Sequence, residues 1–170
     1  MINRRALLTA GVALGALTLT SNFGEAGTMT TTAQDIDYRK LSDADWRKRL
    51  NPQQYDVLRK HGTERAGSSP LNHEKRKGTF ACAGCDLPLF SSDTKFESGT
   101  GWPSFYQPLP NAVGTTVDKA FLMTRTEVHC RRCGGHLGHV FDDGPQPTGL
   151  RYCMNGVALK FMPAAAGGPA

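Results

Sequence analysis

Five cysteines hold most of the chemistry open to this chain of 170 residues. Cys82 and Cys85 form one CxxC pair, Cys130 and Cys133 form another, and Cys153 stands alone within RYCMN. Two CxxC pairs on separate segments supply what a tetrahedral tetrathiolate zinc site needs, two adjacent thiolates from each of two tight turns. Gly84 lies inside the first pair and Gly134 and Gly135 follow the second. Glycine there lets the backbone turn its N–H groups toward sulfur and stabilise thiolate charge. Residues 86–129 separate the pairs, so a bound ion would staple distant segments and supply a large share of the folding free energy of a small β domain. Four thiolates leave no open position, which makes such an ion structural rather than catalytic. Other readings of the four are redox-active pairs of the thioredoxin kind, two structural disulfides in an exported protein, and iron in place of zinc. The βαβ context that a thioredoxin-like pair requires is absent from the sequence around them.

That arithmetic leaves one thiol without a structural task. In a strand, Arg151, Cys153 and Asn155 share a face, and a cation beside a thiol biases it toward the nucleophilic thiolate. His136 and His139 sit in HLGH directly after the second CxxC, where the metal would anchor a loop carrying two possible acids, bases or hydrogen-bond partners. SGTGWPSF places Trp102 in a Gly/Pro loop, a common way to present a ring to a ligand. Each feature alone is ordinary: a single cysteine in an apolar strand is more often an inert core residue. Their combination in one metal-stapled domain points to a reactive thiol.

The elements that must position these groups are short. Ser42 is a candidate N-cap with Asp45 three residues on; then Asn51 caps, Pro52 fits the first helical position and Gly62 ends the helix. Two short N-terminal helices are expected, packing Trp46, Leu50, Tyr55 and Leu58 inward. The Arg47–Arg49 and Lys75–Lys77 basic runs read as solvated faces. Residues 62–77 lack apolar periodicity and read as a loop. TFACAGCDLPLF reads as a strand entering a metal knuckle, FLMTRTEVHC alternates in part around Phe121, Met123 and Arg125, and LRYCMNGVALKF reads as one buried strand. No long helical pattern separates the strands, so antiparallel β is expected.

The composition, 39% hydrophobic and 21% charged, is that of an ordinary globular domain, and the length suits one domain. Residues 1–26 combine Arg4 and Arg5 with an apolar stretch from Ala6 to Leu19. That stretch is too short for a comfortable membrane span and suits a signal peptide of a loose twin-arginine type, an uncleaved anchor being the rival. Twin-arginine export carries folded proteins, so thiolates already on zinc would be protected in an oxidising periplasm. Removing Arg4, Arg5 and Glu25 lowers the net charge from +5 to +4, a balance that implies no nucleic-acid partner. Residues 27–40 are expected to be a leader, 41–162 the domain and 163–170 a disordered tail.

The ordered set of motifs closely resembles the peptide-methionine (R)-S-oxide reductase family, the MsrB type. It runs through GTE at 62–64, CAGC at 82–85, KFESGTGWPSF at 95–105, EVHCRRCGGHLGHVFDDGP at 127–145 and TGLRYCMNGVALKF at 148–161. The resemblance covers roughly residues 40–162. It implies a mainly β domain of two antiparallel sheets stapled by one structural zinc on Cys82, Cys85, Cys130 and Cys133. It also implies that Cys153 attacks the sulfoxide sulfur, that His136, His139 and Asn155 hold and protonate the sulfoxide oxygen, and that Trp102 receives the methyl group. Arg151 is expected to support thiolate formation and substrate binding. The implied partners are oxidised proteins or peptides carrying methionine R-sulfoxide and a thioredoxin-like or small-thiol reductant; a monomer is expected.

Two positions depart from the family pattern. Many members carry a resolving cysteine where this chain has Thr100, and members commonly have Ser at the position of Gly156. The first implies a one-cysteine cycle in which an external thiol reduces the sulfenic acid formed on Cys153; the second implies a looser strand after Asn155. The rival functional classes are a zinc-ribbon binding module without catalysis and a thiol sensor without a substrate pocket.

Overall fold

Both expected helices form, and their caps explain why. In the computed structural model, which describes residues 36–119 and 124–165, α1 spans Asp43–Arg49 and opens with a reciprocal capping box between Ser42 and Asp45. Helix α2, Pro52–Lys60, opens with a second box between Asn51 and Gln54. It ends one residue earlier than expected: His61, not Gly62, takes the left-handed C-cap, at φ 58. Trp46, Leu50, Tyr55 and Leu58 are all buried, so the two helices lay an apolar face on the rest of the domain. The basic runs are paired on the surface, Arg47 with Asp43, Lys48 with Asp45 and Arg76 with Glu74.

The rest of the described chain is β and turn. The loop at 62–77 contains a single 3-10 turn, Pro70–His73. Strands β1 (Gly78–Cys82) and β2 (Pro88–Ser91) pair with β9 (Leu159–Pro163) in a three-stranded sheet of order β2-β1-β9. Strands β3 (Lys95–Phe96), β4 (Ser104–Phe105), β5 (Val113–Asp118), β6 (Arg125–Cys130), β7 (His136–Phe141) and β8 (Arg151–Met154) form the second sheet, ordered β3-β4-β8-β7-β6-β5. Every pairing is antiparallel, so the mainly β, two-sheet expectation holds. Phe80, Phe90 and Phe105 are fully buried between the sheets, with Phe90 stacked on Phe105 at 4.4 Å.

Two local expectations change. HLGH is not a loop but the start of β7. LRYCMNGVALKF is not one strand but two, β8 in the larger sheet and β9 in the smaller, joined by a 3-10 turn at Gly156–Ala158. Glu64 fixes that break: its carboxylate accepts from the N–H groups of Gly156 (2.5 Å) and Val157 (2.9 Å). Strand β9 takes in Pro163, and the Ala164 N–H donates to the Lys77 carbonyl. Residues 1–35, which hold the expected signal peptide and most of the leader, lie outside the described residues, as do 120–123, including Phe121 and Met123, and 166–170 of the tail.

Candidate active site and candidate metal centre

The four CxxC sulfurs meet in the interior. Cys82 ends β1, Cys130 ends β6, and the turns that follow bring in Cys85 and Cys133. All four are buried, and their sulfurs lie within 4.8 Å of one another. Cys82 Sγ is 3.7 Å from Cys133 Sγ and Cys85 Sγ is 3.5 Å from Cys130 Sγ, near the roughly 3.8 Å edge of a tetrahedron with metal–sulfur bonds of about 2.3 Å. Those separations are far beyond a disulfide bond and all five cysteines are free, an arrangement that fits one shared ion better than two disulfides. The Gly135 N–H donates to Cys133 Sγ at 3.4 Å. So many sulfurs without a cation cannot all ionise. Hydrogen bonding, first with Cys130, pushes the Cys82 and Cys85 thiols well up, while Cys130 is held down, first by Cys133. A divalent ion resolves that conflict, and the residues present fit one.

The fifth sulfur lies elsewhere. Cys153 is half-buried in β8 and lines a cavity of about 190 Å³ with Thr63, Trp102, Arg125, Gly138, His139, Phe141 and Asn155. The antiparallel register sets His139 directly opposite Cys153 on one side and Ser104 on the other. Gly138 permits this closeness: at φ 157, a Cβ there would fall 2.1 Å from the Cys153 carbonyl oxygen. Thr100 Oγ1 is 3.8 Å from Cys153 Sγ and 2.8 Å from Ser98 Oγ, which in turn meets Ser104 Oγ at 2.7 Å. The side chain at the expected position of a resolving thiol therefore does reach Cys153, but carries a hydroxyl.

The histidines are held by carboxylates. His139 Nε2 is 2.8 Å from Asp118 Oδ2, which also accepts from Arg125 Nη2 at 2.7 Å. His136 is 2% exposed, and its Nδ1 lies 2.8 Å from Glu127 Oε1. Burial lowers its pKa, against the raising effect of Glu127. Its ring packs 5.4 Å from that of His139, and His136 Nε2 is buried with no protein hydrogen-bond partner. The Trp102 indole N–H donates to the Glu64 carbonyl at 3.2 Å, which fixes the ring in the cavity wall.

The comparisons with known proteins agree. The SelR domain matches residues 50–163. Over 123 residues the chain is 57% identical to the peptide methionine sulfoxide reductase MsrB of Agrobacterium fabrum, covering 72% of this chain and 91% of that one. The protein of the same name from Leptospira interrogans is 58% identical over 121 residues, 71% of this chain and 92% of its own. That from Bradyrhizobium diazoefficiens is 52% identical over 140 residues, 82% and 98% of the two chains. This chain belongs to the MsrB family.

Set against that membership, the structure brings Cys153, His139, Trp102 and Asn155 together around one cavity and places His136 just behind it. Asn155 is largely committed to the backbone. Its Oδ1 accepts from the Glu64 N–H at 2.9 Å and its Nδ2 donates to the Leu137 carbonyl at 3.0 Å. Arg151 makes a double hydrogen bond with Asp143, 2.8 Å at each contact, lies over the Phe141 ring and keeps a weaker interaction with Cys153 from the rim of the cavity. A second cation, Arg125, stands in the cavity wall. Arg125, Asp118, Glu127 and Glu64 went unremarked as site residues in the sequence. The alternation of β5 and β6 held a signal for the first two, since Asp118 and Arg125 face each other across the ladder.

Proposed function

We propose that this MsrB-family reductase acts on the R epimer of methionine sulfoxide in proteins, through a sulfenic acid on Cys153. Family membership gives the reduction of methionine sulfoxide itself. The observation that supports the finer reading is the cavity: one thiol, an indole wall and a carboxylate-held imidazole converge, with a hydroxyl where a second thiol would stand.

The residues divide the work as follows. Cys153 Sγ, as thiolate, attacks the sulfoxide sulfur while the oxygen takes a proton, which makes that sulfur electrophilic. His139 donates from the opposite strand, held by Asp118; His136 backs it as a second acid. The sulfur–oxygen bond to methionine breaks and the oxygen ends on Cys153 as sulfenic acid. Methionine sulfur gains two electrons and Cys153 loses two. An external thiol or thioredoxin-like donor condenses with the sulfenic acid, releasing water, and a second thiol releases Cys153 reduced. Trp102 receives the methyl group opposite the oxygen donors, an arrangement that selects one epimer. Asn155 positions the Glu64 segment against β7, and Arg151 favours the thiolate from the rim.

The metal on Cys82, Cys85, Cys130 and Cys133 is proposed to be a single structural zinc. Zinc would lock β1 and β6 together and take no part in turnover. Residues 1–26 are proposed to direct export to the periplasm, which N-terminal sequencing of the exported protein tests. For the activity, the R and S epimers of a peptide methionine sulfoxide are supplied separately with dithiothreitol. Turnover of R alone is expected; turnover of neither by folded, metal-loaded protein overturns the reading.

A further inference from the structure

Behind the cavity, two histidines converge on one carboxylate oxygen. Glu127 Oε1 lies 2.8 Å from His136 Nδ1 and 3.0 Å from His61 Nδ1, and the donor atoms of all three residues fall within 4.8 Å of one another. They come from three elements, the left-handed C-cap of α2, β6 and β7. We propose that His61, Glu127 and His136 form a second metal site, separate from the tetrathiolate, that takes a divalent transition ion such as Zn2+ and holds the reductase off while occupied. The inhibitory part rests on the role proposed above for His136.

The donor set argues for the ion class. Two imidazoles and one carboxylate suit zinc, copper or nickel and not magnesium or calcium, which demand more oxygen ligands. Donors around a tetrahedral zinc stand about 3.3 Å apart, given bonds of about 2.0–2.1 Å. Two of the three edges are already within half an ångström of that value. Glu127 and His136 are rigid anchors, their side chains 12% and 3% exposed, while the His61 side chain is 64% exposed and free to close the third edge. The open side leaves a fourth position to water.

Occupation changes what His136 can do. An imidazole whose Nδ1 is on a metal has no second proton to give, so His136 can no longer back the His139 ring that it packs against. Proton delivery slows although the cavity stays open, so the ion acts on turnover more than on substrate binding. His61 touches neither Cys153 nor the cavity wall, but it packs on His136 at 5.1 Å, so each protein is compared with its own rate without added ion.

The experiment uses the full, reduced, metal-loaded chain without added dithiol, which would compete for the ion. Dialysis against micromolar Zn2+ and elemental analysis are expected to give two ions per chain for wild type and one for His61→Ala. In single-turnover reactions with a peptide R-sulfoxide, Zn2+ is expected to slow methionine formation at least tenfold in wild type and to leave His61→Ala unchanged. Mg2+ at the same concentration should do nothing. One ion per wild-type chain, two in His61→Ala, or equal inhibition of both proteins overturns the proposal. The ion count needs no substrate; failure of the reductase reading shows separately, as no methionine formed even without added ion.

Discussion

The tetrathiolate cluster and the Cys153 cavity put the same atom to opposite uses. In the cluster each sulfur is buried beside three others and reached from a knuckle turn, with backbone N–H support at Cys133. In the cavity a single half-buried sulfur faces an imidazole, an indole and a hydroxyl. A closed set of four satisfies an ion and leaves nothing for a substrate; an open set of one leaves everything. The two regions also share strands, since β6 and β7 run from the second knuckle to the cavity. The cluster therefore anchors the ends of the strands that carry the histidines and Glu127, one of the carboxylates that hold them, and the contrast can be broken from either side.

The largest effect should come from the cluster. Cys130→Ser removes one of four ligands and, because structural zinc binding is worth about 10–16 kcal/mol in small domains, should abolish both metal content and the cooperative unfolding transition seen by circular dichroism. Cys153→Ser should do the reverse, keeping the ion and the melting temperature while methionine formation falls on the order of a thousandfold or more. Next comes Glu64→Ala, which strips the acceptors from the N–H groups of Gly156 and Val157. Leaving two such donors unpaired costs about 2–4 kcal/mol, readable as a lower urea midpoint at unchanged metal content. Gly156→Ser should cost about 1–3 kcal/mol, because a Cβ there falls 2.0 Å from Ser69 Oγ. Ser69→Gly in the same chain should recover part of it. Where the missing hydroxyl implies a looser strand, the Ser69 hydroxyl stands in the space that a side chain at 156 would take.

A smaller effect follows from burial of His136. Its folded pKa lies below that of the exposed side chain, so between the two values the unfolded chain binds the extra proton. Stability is complete above about pH 6.5 and declines as pH falls below it. Denaturant midpoints should drop from pH 7 to pH 5, and His136→Asn should flatten that slope. The subtlest change is Thr100→Cys, which sharpens the contrast by giving Cys153 a partner at the distance Thr100 now occupies. Mass spectrometry after one turnover should find a disulfide, lighter by one water than the sulfenic acid, with little change in stability.

Local rules carried much of the reading. The capping boxes at Ser42 and Asn51 needed only neighbours three residues away, and the CxxC spacing needed only the ligand geometry of a tetrathiolate. What escaped depends on distant partners. LRYCMNGVALKF looks continuous, yet Glu64, more than ninety positions upstream of Val157, breaks it into strands of two sheets. HLGH follows a metal knuckle and so looks like a loop, but β6 and β8 pair it on both sides into a strand. Arg151 shares its strand face with Cys153, as alternation predicts, but its main partner is Asp143, which the sequence does not single out. Nothing near His61 in sequence says that Glu127 waits for it.

The most direct test of this division of labour is one stoichiometric turnover. Fully reduced, metal-loaded protein is mixed with a peptide methionine R-sulfoxide without any external thiol, then trapped with a sulfenic-acid reagent and mapped by mass spectrometry. The account predicts one methionine per chain, the trap on Cys153 alone, and no metal released. Methionine formed without the trap on Cys153, or oxidation and metal loss at Cys82, Cys85, Cys130 or Cys133, would contradict it.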